Sequence, residues 1–120
     1  MITGAVNADR EAVIRLVVRG PGGQEEEREA VIDTGFNGFL TLPPAVITAL
    51  GLTRIGRGRA ILANGSEELF EIYEATVLWD GQPRSVEADA ADTDILVGMS
   101  LLYGRDLRIH AVDGGTVTIT

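Results

Sequence analysis

Val31 and Ile32 run directly into Asp33-Thr34-Gly35, and later Ile95, Leu96 and Val97 run into Gly98 in the same manner. A carboxylate placed straight after two aliphatics sits at the tip of a buried strand. Aspartate has poor strand propensity there and is costly to desolvate. Asp-Thr-Gly is also ordinary turn chemistry, and average usage puts it in roughly a few per cent of chains this long. The chemistry open to such a group is general acid-base work. One ionised carboxylate takes a proton from water while a second, protonated, hydrogen-bonds the carbonyl under attack. Two close carboxylates cannot both ionise, so such a pair shares a proton and takes opposite roles.

Other chemistries have less support. The chain has no cysteine, which removes disulfides, a thiolate nucleophile and cysteine-held metal. His110, the sole histidine, lies in the strand-like DLRIHAV, and a satisfied strand residue is the expectation. No Gly-x-Ser-x-Gly elbow accompanies it. Ala88–Asp94 (ADAADTD) lacks the glycine and terminal glutamate of a calcium loop and reads as an acidic connection. Arg54–Arg59 (RIGRGR) is a local basic patch, expected as a loop rather than a nucleic-acid site. Glu25–Arg28 reads as a solvated hairpin face. No metal or other cofactor is expected.

The elements that must position Asp33 are short and extended. Pro21-Gly22-Gly23, Asn64-Gly65, Asp80-Gly81 and Asp113-Gly114-Gly115 each separate two strand-like runs, and such pairs are strong hairpin signals. Asn64-Gly65 is expected to form a type I′ turn with positive φ at Gly65. Two short helices interrupt the pattern: PPAVITALG, with a proline start and Gly51 as its stop, and SLLYG, one or two turns closed by Gly104. The result is a single all-β domain over residues 1–120, a small closed or half-closed β-barrel with one or two short helices.

A net charge of −8 argues against nucleic acid as a partner. No run reaches the length of a membrane span, and no basic region leads an apolar stretch at the N-terminus. With the missing cysteines, this composition fits a cytoplasmic location.

From about Val13 to Leu102, the order of Asp33-Thr34-Gly35, the Asn64-Gly65 hairpin and Leu96-Val97-Gly98 before a helix resembles the retropepsin-like aspartic proteases. The likeness is greatest to small single-domain bacterial and archaeal members. The resemblance implies an acid-protease-type barrel and an aspartic endopeptidase. It further implies a homodimer, because one chain supplies only one Asp33. On this reading Asp33 is catalytic, and Thr34 and Gly35 support it: the threonine by bonding across the dimer, the glycine by letting backbones approach closely. Asn64 and Gly65 become the tip of a flap over a bound peptide or protein substrate.

Four positions depart from the retroviral pattern. Phe36 replaces a small residue and is expected to crowd the site floor. Asn37, Met99 and Ser100 stand where those enzymes carry aspartate, arginine, and asparagine or aspartate. The ion pair that braces their dimer loses both partners together, which leaves no charge orphaned. The alternative reading is a non-proteolytic dimerisation or peptide-binding module on the same fold.

Overall fold

The computed structural model describes residues 1–120. Its strands are β1 (Ile2–Val6), β2 (Ala12–Arg19), β3 (Glu25–Ile32), β4 (Leu40–Leu42), β5 (Thr53–Ile61), β6 (Glu67–Trp79), β7 (Gln82–Ala90), β8 (Leu96–Val97), β9 (Leu107–Ile109) and β10 (Thr116–Ile119). The helices are α1 (Pro44–Leu50) and α2 (Met99–Leu102). The sheet runs β5-β6-β7-β4-β8-β3-β2-β1-β10-β9, and a further pairing of β6 with β2 closes its middle into a ring. The acid-protease-type all-β barrel is therefore present, half-closed, with two short helices.

Alternation sets the barrel wall. In β2, Ala12, Ile14, Leu16 and Val18 point inward, and β3 pairs with it from Val13↔Val31 to Arg19↔Glu25. Charged residues keep the outer face wet: Arg15 pairs with Glu27, and Arg19 reaches Glu25 at 2.7 Å. The acidic run at the start of β3 is thus a solvated face, as its composition suggests. The core joins these strands to Leu40 and Leu42 of β4, Val77 and Trp79 of β6, and Leu50 of α1. α1 ends where Gly51 takes φ 60°, a left-handed cap that satisfies its last carbonyls.

β6, 13 residues long, serves two structures. Its second half belongs to the ring, through β7 and the Val18↔Val77 pairing with β2. Its first half pairs only with β5, so the two strands leave the barrel as a ribbon. The Arg54–Arg59 segment is part of β5 and not a loop. Its arginines are drawn into cross-strand pairs, Arg54 and Arg57 with Glu71 and Arg59 with Glu67, which is why the basic patch is extended.

The turns separate into two kinds. Asp80 and Gly81 both have positive φ, 53° and 79°, in the two-residue turn joining Trp79↔Gln82. At the ribbon tip the last strand pair is Ile61↔Glu67 and only Gly65 is left-handed, at φ 83°. The expected type I′ turn is therefore replaced by a longer loop. The Leu62 carbonyl accepts from Gly65 N–H at 2.8 Å, and Asn64 Oδ1 accepts from Ser66 N–H at 3.0 Å.

Candidate active site

β3 and β8 lie side by side and parallel, with Val31 opposite Leu96 and Ile32 opposite Val97. Neighbours on both sides explain the aliphatic pairs in the two motifs, since a parallel central strand has no wet edge. Val31 N–H donates to the Ile95 carbonyl at 2.8 Å, and Asp33 N–H continues the ladder to the Val97 carbonyl at 2.9 Å. Asp33 is the first residue past β3, half-buried, so its side chain leaves a backbone that is still held in the sheet.

The loop after Asp33 is stitched to the start of α2. Gly98 N–H donates to the Phe39 carbonyl at 3.0 Å, Met99 N–H to Phe36 at 2.8 Å and Ser100 N–H to Gly38 at 3.1 Å. Ser100 Oγ adds a bond to the Asn37 carbonyl. These contacts satisfy N–H groups that a helix start leaves without internal partners. Gly98 is required by proximity: a Cβ there would lie 2.2 Å from the Gly38 carbonyl oxygen. Gly35 N–H donates to Asp33 Oδ1 at 2.9 Å, which fixes one carboxylate oxygen.

Phe36 does not crowd the floor as its position suggests. Its ring packs against Gly38 and Gly98, filling the space their missing side chains leave, and it does not line the cleft that holds Asp33. That cleft, about 640 Å³, is lined in part by Asp33, Thr34, Ile32 and Leu96. Most of the rest comes from two regions the motifs gave no reason to suspect: Val6, Arg10, Glu11 and Ala12 around the β1–β2 turn, and Ile109 at the end of β9 with the following Val112 and Asp113. Arg10 has φ 63°, the left-handed region, in a turn whose Asn7 Oδ1 accepts from the N–H groups of Asp9 and Glu11. Asn7 and Asp9 signal a turn, but nothing local says that it shares a cleft with Asp33.

Of the expected site residues, the fold brings together Asp33, Thr34, Gly35, Leu96, Val97 and Gly98. Asn64 and Gly65 stand apart at the ribbon tip and do not line the cleft within one chain. Thr34 is exposed at the cleft rim. His110 falls one residue past β9 and is exposed, so it is not the strand residue DLRIHAV suggests. Of ADAADTD, Ala88 to Ala90 finish β7 and only the remainder connects. Beside the loop, Asp89 on β7 carries a carboxyl pushed up to about 6, by burial first and then by the charge of Glu87.

The ring, the projecting ribbon and the stitched carboxylate loop define a retropepsin-like fold. No family model and no curated protein matches the sequence. Solved structures do match. A retropepsin-like aspartic protease from Rickettsia conorii is 19% identical, with 97% of this chain and 87% of that one aligned at a TM-score of 0.61. The EIAV protease, in complex with an inhibitor, is 16% identical over 80% of this chain and 88% of that one, at 0.59. The simian foamy virus (mac) protease is 20% identical over 73% and 90%, at 0.53. These identities speak to the fold, a protease fold, and leave the chemistry to the residues.

Proposed function

We propose that the protein is an aspartic endopeptidase that works as a homodimer, with Asp33 of two copies facing each other across a two-fold axis. The observation that carries this reading is the placement of Asp33. It follows a sheet-held strand, lines a cleft whose walls are mostly apolar but also carry Arg10, Glu11 and Asp113, and has one oxygen fixed by Gly35 N–H. A carboxylate so held needs little reorganisation when it takes a proton from water.

In the dimer the two carboxylates share a proton. The ionised one activates the attacking water, and the protonated one hydrogen-bonds the peptide carbonyl. On this reading the exposed Thr34 braces the opposite loop, and the ribbon tip at Asn64-Gly65 closes over the peptide bound between the copies. The apolar residues Ile32 and Leu96 beside Asp33 suit the side chains of an extended substrate.

A peptide whose scissile carbonyl is replaced by a secondary alcohol tests the pairing, because that hydroxyl mimics the tetrahedral intermediate between two carboxylates. Titration calorimetry should find one inhibitor bound for every two chains. One inhibitor per chain, or none with a folded dimer, would contradict the paired site and favour the non-proteolytic module.

A further inference from the structure

We infer that the second copy docks on the free edge of β9, so that β9 pairs antiparallel with its own equivalent. This rests on the paired-carboxylate reading and adds to it the surface that holds the pair together. β1 is flanked on both sides, by β2 and β10, and β10 lies between β1 and β9. β10 has no edge left to offer another chain, and β1 has only Ile2 and Thr3 beyond its ladder with β2. The terminal strands of the sheet are β5 and β9. Other stretches unpaired on one side, such as the start of β3 with its glutamates and the start of β7 with Pro83, Arg84 and Glu87, are charged or carry proline.

β5 carries Arg54, Arg57 and Arg59, and such charged edges resist self-addition. β9 carries a single charge, Arg108, between Leu107 and Ile109. Asp106 and Thr120 exchange both backbone bonds, and His110 N–H donates to the Thr116 carbonyl. By the alternation of an antiparallel ladder, the N–H and C=O groups of Leu107 and Ile109 therefore point away from β10, to the open side. Ile109 and Val112 are 40% and 50% exposed and line the cleft that contains Asp33.

Three carboxylates line the cleft beside this edge, Glu11, Asp33 and Asp113. Glu11 accepts from Asn7, and only Asp33 follows a sheet-held strand with one oxygen fixed by Gly35 N–H. A second copy brings the matching Asp33 that the paired chemistry needs, so it fits this edge better than an unrelated strand does. A two-fold axis passing Ile109 and the mouth of that cleft serves both requirements at once. Antiparallel self-pairing obeys such an axis. Centring on Ile109 sets Arg108 opposite His110 of the second copy, whereas centring on Arg108 would set two guanidiniums face to face.

The chain has no cysteine, so a single introduced thiol reports on the register. Residues directly opposite in a hydrogen-bonded pair have Cα atoms roughly 5.5 Å apart, within disulfide reach. Ile109→Cys should oxidise to a covalent dimer, while Leu69→Cys, more exposed at 62% against 40% but on the ribbon, should not. Ile109→Pro removes a donor that faces only the second copy, so it should weaken the dimer by about tenfold or more in sedimentation, with an unchanged circular dichroism spectrum.

Wild-type protein that stays monomeric at all concentrations would overturn this interface. So would a dimer that Ile109→Pro leaves intact and Ile109→Cys fails to cross-link. In that last case, dimer-dependent cleavage would still leave the paired carboxylates standing. A dimer cross-linked through Ile109→Cys that cleaves no peptide would support the interface and count against the protease reading.

Discussion

Asp33 donates its backbone N–H to the carbonyl of Val97 at 2.9 Å, and so the last rung of the β3–β8 ladder belongs to the candidate catalytic residue itself. Two segments far apart in sequence are locked together at the point where a carboxylate must not wander. The next residue along β8's path, Gly98, extends the lock to the far end of the loop through Phe39.

Gly98→Ala should break that lock. The added methyl would meet the Gly38 carbonyl oxygen at 2.2 Å, which forces the backbone apart and should cost roughly 1–3 kcal/mol. Gly35→Ala should cost less, since its added Cβ meets only Asp33 Oδ1, at 3.3 Å. Urea denaturation of both variants checks the ranking, and equal losses would refute the role given to Gly98.

Gly65→Val places a β-branched residue at φ 83°, a conformation that costs an L residue roughly 1–2 kcal/mol. The ribbon tip has no partner in the barrel, so the strain should distort the tip and change the thermal midpoint little. Peptide turnover should fall if this tip is the flap. Unaltered kinetics in a folded Gly65→Val protein would assign the closing role elsewhere.

Much of this was legible locally. β3 and β7 coincide with runs bounded by turn residues, and Asp33 and Gly98 stand out because each follows a buried aliphatic pair. β1 escaped notice because its role comes from pairing with β10 at the far end of the chain, and no local pattern encodes that. Arg10, Ile109 and Val112 were missed at the site for the same reason. Asn64-Gly65 signals a turn but not its length, which the Ile61↔Glu67 register decides. Phe36 looked like an obstruction because a sequence does not show which way a ring turns.

Asp89 supplies a pH-dependent prediction. Its carboxyl is pushed up to about 6 by burial and by Glu87. An aspartate in an unfolded chain titrates near about 3.9. The folded state therefore holds the proton more tightly. The resulting stabilisation is complete below about pH 4 and is lost as pH rises through about 6. Asp89→Asn should raise stability at pH 7 by about 1 kcal/mol after allowance for solvent screening, or about 4 °C in the melting midpoint. The gain should vanish near pH 4. Melting curves with a gain that is the same at both pH values would remove titration as its cause.

The central claim is that Asp33 is the catalytic carboxylate of a peptidase. Its most direct test is cleavage of a mixed peptide library by wild type and Asp33→Asn at acidic pH, with folding checked by circular dichroism. Asparagine keeps the size and shape of the side chain but removes the charge and the shareable proton, so water loses its base and the carbonyl its matched acid. The account predicts cleavage by the wild type and none by Asp33→Asn at any pH. Equal cleavage by the two proteins, or no cleavage by a folded, dimeric wild type, would contradict it.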